Sequence, residues 1–167
     1  MGIAYRQLGE PRQAIEYIKQ ALAVHHEIGD RLFEGTDLGN LGNAHADLGE
    51  LERAIEYFEQ HLAITREIGD RRGEGNALGS LGVASRRLGK PQRAIEFYEQ
   101  QLENTREIGD RSGEAIALWN MALALYGLGD RRKAIANAEA ALVIFKQIED
   151  PDAAKVRDKL EEWRKGK

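Results

Sequence analysis

The chain has 167 residues, of which 42% are hydrophobic and only 3 are proline, a composition that suits one folded domain and argues against disorder. Its 24 basic and 28 acidic side chains are mixed along the chain, which is not typical of a nucleic-acid-binding protein. The absence of cysteine excludes disulfides, zinc ribbons and thiol nucleophiles. The sequence contains no run of roughly 18 apolar residues, the length needed to span a bilayer. We therefore expect a cytoplasmic protein with no membrane or nucleic-acid partner.

A pattern that recurs every 40 residues dominates the sequence. Residues 30–69 and 70–109 are identical at 23 of 40 aligned positions, which makes a chance match untenable. The glycines and alanines that recur at this spacing are Gly9, Gly49, Gly89, Gly129, Ala14, Ala54, Ala94 and Ala134. The chain is therefore a tandem array of one structural unit.

Each unit is predicted to contain two helices joined by short turns. The predicted helices cover residues 2–8, 11–28, 32–48, 51–68, 72–88, 91–108, 112–128, 131–148 and 151–165. Gly69 can end a helix in the left-handed conformation, and Asp70 can cap the next one. Each helix has an apolar stripe that a neighbour must bury. The pattern therefore predicts an all-α fold, an α-solenoid of antiparallel helix pairs.

The units divide the chain into a single domain, 1–167, with two different ends. We expect a partial repeat at 1–29, full repeats at 30–69, 70–109 and 110–149, and a capping helix at 150–165. The chain begins inside the first helix of a unit, so Ile15, Ile18 and Leu22 are expected to lack their usual cover. The open N-terminal edge could therefore support a homo-oligomer.

The residues inside one unit resemble a known family. Leu38, Leu41-Gly42, His45, Ala54 and Phe58 follow the order of the tetratricopeptide-repeat (TPR) pattern. The 40-residue period and the IGDRxGE element are similar to a long-repeat subgroup found in Partner-of-Inscuteable-type adaptors and many bacterial TPR proteins. The resemblance implies a protein-protein interaction module that holds a protein or peptide in a concave groove. It implies neither an enzyme nor a cofactor.

The resemblance also implies which side chains line the groove, because the first helix of each TPR unit forms that surface. Asn43 falls where related domains grip a peptide backbone with an asparagine. The cations of a carboxylate clamp are replaced by Gly39, Trp119 and Leu123, so binding of an EEVD-type tail is not expected. The candidate partner-binding residues are Arg6, Asn43, Asp47, Asn76, Val83, Arg86, Arg87, Ile116, Trp119, Leu123 and Tyr126.

The predicted helix at 112–128 is apolar almost all round, with Asn120 as the one plainly polar side chain after residue 114. A solenoid helix needs only part of its circumference for the core. Trp119 and Tyr126 could pack against neighbouring helices or the capping helix. They could instead form an apolar floor in the groove, since exposed aromatic clusters mark binding surfaces.

No residue pattern indicates catalysis or a metal site. The four histidines, at positions 25, 26, 45 and 61, lack the spacing of metal ligands. The glycine-rich LGNLGNAHADLG segment follows no strand and so is not a phosphate loop. We expect a groove that binds a protein segment. The alternative is a self-associating scaffold or a sensor segment of a larger signalling protein.

Overall fold

The computed structural model describes residues 5–6 and 8–165, which contain helices and turns and no strand. The all-α prediction is confirmed. Within the described residues the helices are α1 (Pro11–Glu27), α2 (Arg31–Asp47), α3 (Leu51–Ile68), α4 (Arg71–Arg87), α5 (Pro91–Glu107), α6 (Arg111–Gly127), α7 (Arg131–Gln147) and α8 (Asp152–Lys165). Each lies within one residue of its predicted bounds. The helix predicted at 2–8 lies mostly outside the described residues, of which 5–6 are helical.

The turns between helices use glycine and aspartate as the sequence predicts. Gly69 has a φ of 72°, in the left-handed region, and ends α3. Asp70 then caps α4, its carboxylate accepting a hydrogen bond from the backbone N–H of Gly73 at 2.9 Å. The same arrangement recurs at Asp110 and Asp130. These tight turns bring consecutive helices back against each other.

Consecutive helices pack as pairs along the whole array, with α2 on α3, α4 on α5 and α6 on α7. The first helices also contact one another, α2 with α4 and α4 with α6, so they line one side of the solenoid. Gly42 faces the ring of Phe58 and Gly82 faces that of Tyr98 so closely that no side chain would fit there. The absent side chains set the distance between the two helices of a pair.

Helix α1 is more buried in its first half than the sequence predicts. Ile15 and Ile18 are buried, at 7% and 4% exposure, so the prediction that they lack cover is wrong. Leu22, named with them, is half-buried and packs against the same cluster. Tyr5 packs against this cluster and stacks on Tyr17 with ring centroids 5.0 Å apart. The exposed side chains of α1 lie further along, at Val24 and at Ile28, which follows the helix.

Helix α8 closes the other end. It packs on α7 through a single stripe made of Val156, Leu160 and Trp163, all at most 2% exposed, while its other faces are charged. Glu149, in the turn before α8, has a φ of 54°. Every corresponding turn in the array has glycine at this position. Trp163 packs against Trp119 and Tyr126 of α6, so α8 lies next to the side of the solenoid that the first helices line.

Candidate partner-binding groove

The side lined by α2, α4, α6 and α8 contains two cavities that differ in polarity. The first has a volume of about 510 Å³ and lies between α2 and α4. Amide and hydroxyl groups dominate its wall. Its lining residues are Thr36, Gly39, Asn40, Asn43, Phe58, His61, Asp70, Arg72, Gly73, Asn76 and Ser80. We call it the polar cavity; it contains the candidates Asn43 and Asn76.

His61 belongs to α3, the second helix of its pair, and lines the polar cavity. It reaches the cavity because Gly39 of α2 has no side chain to block it. A Cβ atom at position 39 would lie 2.8 Å from Nδ1 of His61. Burial lowers the pKa of His61 below its ordinary value of 6.5, opposed by the charge of Asp70. His61 was not predicted from the sequence as a groove residue. The signal was the pairing of a glycine on the first helix with a large residue on the second, which Gly79 and Gln101 repeat.

The second cavity has a volume of about 900 Å³ and lies between α4, α6 and α8. Val83, Ile116, Trp119, Leu123 and Phe145 supply its apolar surface. We call it the apolar cavity. Its rim is charged or polar, and the remaining lining residues are Arg86, Asn120, Asp152, Lys155, Asp158, Lys159 and Glu162. Most of this rim belongs to α8, which was predicted from the sequence to be a cap and not a groove wall.

The aromatic residues of α6 divide between the two interpretations that the sequence left open. Trp119 lines the apolar cavity but is only 7% exposed. Tyr126 does not line it, because its ring stacks on Trp163 of α8 with centroids 4.3 Å apart. Trp163 also packs near Trp119, at 5.8 Å between centroids. Tyr126 therefore anchors α8, and the exposed apolar surface comes mainly from Ile116, Val83 and Leu123.

The remaining candidates lie outside both cavities. Arg6 forms an ion pair with Asp47, with Nε and Oδ2 3.1 Å apart, so the two charges partly neutralise each other. Arg87 is exposed at the end of α4. These three residues could contact a ligand only if it extended beyond the cavities.

Arg86, on the rim of the apolar cavity, lies beside a buried tyrosine. Burial raises the pKa of Tyr98, and the neighbouring guanidinium opposes that effect. Nε of Arg86, Oη of Tyr98 and Oε1 of Gln101 are all buried without a hydrogen-bond partner among the described protein groups.

The described part of the chain shows no cluster of three or more His, Asp or Glu side chains that could hold a metal ion. Among its helices, none is both long and apolar enough to cross a membrane. The candidate site is a groove that contains a polar and an apolar cavity.

Comparison with protein families decides the identity of the repeat. The model of the family described as tetratricopeptide repeat matches residues 1–67 and 73–147. The chain belongs to the TPR family. No curated protein matches this TPR chain.

Solved structures of TPR proteins share the fold at low sequence identity. Aspartyl phosphate phosphatase F from Bacillus subtilis superposes with a TM-score of 0.91 at 16% identity, over 99% of this chain and 46% of that one. A Rap protein complexed with Competence and Sporulation Factor gives 0.82 at 18% identity, over 97% and 46%. A signal transduction ATPase with a tetratricopeptide repeat sensor, from Pyrococcus horikoshii, gives 0.84 at 23% identity, over 93% and 24%. This chain thus spans less than half of each.

Proposed function

We propose that this TPR chain binds a segment of another protein along its groove and has no catalytic role or cofactor. TPR arrays are in general protein-interaction modules. The apolar cavity of about 900 Å³ beside the polar cavity carries the proposal, because apolar pockets with polar borders are where partners place anchoring side chains. The structural neighbour complexed with Competence and Sporulation Factor gives further support.

The two cavities call for a ligand of mixed character. In the polar cavity, the amides of Asn43 and Asn76 can bond to the backbone of an extended segment. The apolar cavity fits a leucine, methionine or phenylalanine side chain. Arg86, on the rim of the apolar cavity, would pair with an acidic or amide group. Arg87 would meet a ligand that continues past the end of α4.

A displayed library of random peptides tests this proposal without a known partner. Peptides are selected on the chain, and their affinities for it and for the Ile116→Glu variant are measured by fluorescence anisotropy. Ile116 is 41% exposed, so a glutamate there should not disturb folding, but it would place a charge in the apolar cavity. We expect binding to weaken by on the order of tenfold or more.

Val143→Glu is the matched control for that experiment. Val143 is an aliphatic residue of α7 that is 55% exposed and lies outside both groove cavities. Its substitution should leave the affinity of the selected peptides unchanged. Peptides that bind both variants as well as the unchanged chain would show that the groove is not the binding site.

The alternative function is a self-associating scaffold or a sensor segment of a larger signalling protein. The observation in its favour is the exposed apolar edge at Val24 and Ile28, with Leu32 and Phe33 beside it. The Pyrococcus horikoshii neighbour carries its repeats as a sensor. Sedimentation over a concentration series separates the two candidates, because a monomer at all concentrations would contradict self-association.

A further inference from the structure

The two groove cavities differ in what they offer to the backbone of a bound segment. Three carboxamides line the polar cavity, among them those of Asn43 and Asn76. The lining of the apolar cavity contains a single carboxamide, that of Asn120. In the next unit Val83 stands in the place of Asn43, and Ile116 stands in the place of Asn76. The amides that can hold a backbone in one cavity are thus replaced by aliphatic side chains in the other.

A peptide backbone has to keep its hydrogen bonds when it moves from water into a cavity. An extended segment needs external partners for its N–H and C=O groups, and each buried group without one costs about 1–3 kcal/mol. A helix satisfies these groups internally and presents side chains to its surroundings. Val83, Ile116 and Leu123 have no hydrogen-bonding side chain to offer. The apolar cavity therefore favours a helical segment, whereas the polar cavity suits an extended one.

The walls of the apolar cavity also have the form that receives a helix. Ile116, Trp119 and Leu123 follow one another at spacings of three and four residues, so they form one face of α6 about 10 Å long. Along α8, the lining residues run from Asp152 to Glu162, a length of about 15 Å. Rows of side chains on neighbouring helices leave a groove into which the ridge of a third helix packs. A helix of about three turns has the length of this groove.

Two cations on the rim of the apolar cavity have no ion-pair partner among the described residues. They are Arg86 of α4 and Lys155 of α8. Helix α6 lies between these two helices, since it contacts α4 and its Tyr126 stacks on Trp163 of α8. The two positive charges therefore lie on either side of the apolar face of α6.

The acidic residues of the same rim are balanced within the chain. Nζ of Lys159 lies 2.8 Å from Oε2 of Glu162. Nη2 of Arg157 lies 3.0 Å from Oδ1 of Asp158. Asp152 is in the first turn of α8, where the helix dipole favours a negative charge. The charge left for a ligand is positive, so carboxylates are the complementary groups.

We propose that the apolar cavity docks an acidic amphipathic helix of the partner, with its apolar face on α6 and carboxylates facing Arg86 and Lys155. This docking mode rests on the proposed function and adds the conformation and the charge of the bound segment. The segment is helical in the apolar cavity and extended where it continues into the polar cavity. A helix with basic flanks and a segment that is extended throughout are the competing occupants.

Three alanine-rich peptides of about 20 residues, acetylated and amidated at their ends, serve as probes. The first has leucines at spacings of three and four residues on one face and glutamates on both flanks of that face. The second has lysine at each glutamate position, and the third is the first with proline at one central alanine. Glutamate and lysine have similar helix propensities, whereas a central proline breaks the helix. Fluorescence anisotropy with the full chain gives each affinity, and circular dichroism gives each helix content.

We expect the chain to bind the acidic peptide on the order of tenfold more tightly than the basic peptide at low salt. The difference should shrink as the salt concentration rises, because salt screens charges at an exposed rim. The proline peptide should bind on the order of tenfold or more weakly than the acidic peptide, because its backbone can no longer satisfy itself in the apolar cavity.

The Lys155→Glu variant tests the charge on the chain. Lys155 is exposed, so the variant should fold, and the preference for the acidic peptide should fall by about two- to fivefold. Lys19→Glu is the matched control, because Lys19 is an exposed lysine of α1 outside both cavities. It changes the net charge by the same amount and should leave the preference unchanged. Circular dichroism verifies that both variants are folded.

The docking proposal is wrong if none of the peptides binds, or if the acidic and basic peptides bind equally. It is also wrong if Lys155→Glu lowers the preference no more than Lys19→Glu does, or if the proline peptide binds as tightly as the acidic one. The random-peptide selection separates these outcomes from a failure of the groove proposal. Library peptides that lose affinity for Ile116→Glu would show that the groove binds segments of another kind.

Discussion

Glycines inside the first helices act as contact residues. A Cβ atom at Gly82 would lie well inside the van der Waals distance of the Tyr98 ring, as would one at Gly42 against Phe58. Gly127, the last residue of α6, has no atom within 4 Å of such a position. An added side chain is therefore expected to overlap its neighbour at Gly42 and Gly82 but to fit without contact at Gly127.

Gly82→Leu should destabilise the protein by about 1–3 kcal/mol, because the added side chain forces the α4–α5 pair apart. Thermal and urea denaturation measure the free energy of unfolding. Gly127→Ala is the control and should be neutral or stabilising by up to about 1 kcal/mol. An unchanged stability of Gly82→Leu would contradict the close contact with Tyr98.

His61 should make the stability depend on pH. Because burial lowers its pKa below 6.5, the unfolded chain binds more protons than the folded chain just below that pH. The contribution of His61 to the free energy of unfolding is then fully present above pH 6.5 and is lost as the pH falls through the lowered pKa. The charged groups facing it in the polar cavity are Asp70 and Arg72.

His61→Gln isolates this effect, since glutamine stands at the corresponding position of the next unit, Gln101. The stability difference between the two proteins should change as the pH falls from about 7.5 to about 5.5, about one unit either side of an ordinary histidine pKa, with the unchanged chain losing more. Urea denaturation at each pH gives the values. A difference that is constant with pH would show that His61 titrates normally.

At the scale of elements, the turn before α8 departs from the others. Glu149 adopts a φ of 54°, whereas Gly129 in the preceding turn has 83° and carries no side chain. A left-handed conformation costs a residue with a Cβ about 1 kcal/mol. The turn before α8, the helix that forms one wall of the apolar cavity, therefore has a less favourable backbone conformation than any other turn of the described array.

Glu149→Gly should consequently raise the stability by about 1 kcal/mol, because it removes this cost. The reciprocal change, Gly129→Ala, should lower stability by about 1–2 kcal/mol. Thermal denaturation under identical conditions compares both with the unchanged chain. Should Glu149→Gly destabilise the protein, the glutamate side chain would have a stabilising contact that outweighs its backbone conformation.

At the scale of the whole molecule, each helix pair contacts only its neighbours, so stability should vary along the chain. Among the described residues, the second half of α1 is exposed at Val24 and α8 packs chiefly against α7, whereas α3 to α6 are packed from both sides. The ends should therefore open at a lower free energy than the centre.

Hydrogen exchange followed by mass spectrometry checks this prediction. Amides in α4 and α5 should exchange slowest, and those in α1 and α8 fastest. Binding of a groove ligand should slow exchange in α4, α6 and α8. Uniform protection along the chain would mean that the array unfolds as one cooperative unit.

The sequence by itself determined the helices, the turns and the family, because these depend on local chemistry that repeats every 40 residues. Gly69 and Asp70 specify a turn without reference to distant residues, and the apolar stripes require helix pairing. The sequence also indicated Asn43, Asn76 and Ile116 as groove positions, which the structure brings to the two cavities.

Only the tertiary structure decided which side chains of those positions are accessible. Tyr126 and Ile116 lie on the same helix, yet one face of the Tyr126 ring is covered by Trp163, which is 37 positions further along the chain, so that Tyr126 is half-buried. His61 reaches the groove only because Gly39 on another helix leaves room for it. Such exposure depends on contacts between residues that are distant in sequence, and no periodic pattern within a single helix contains that information.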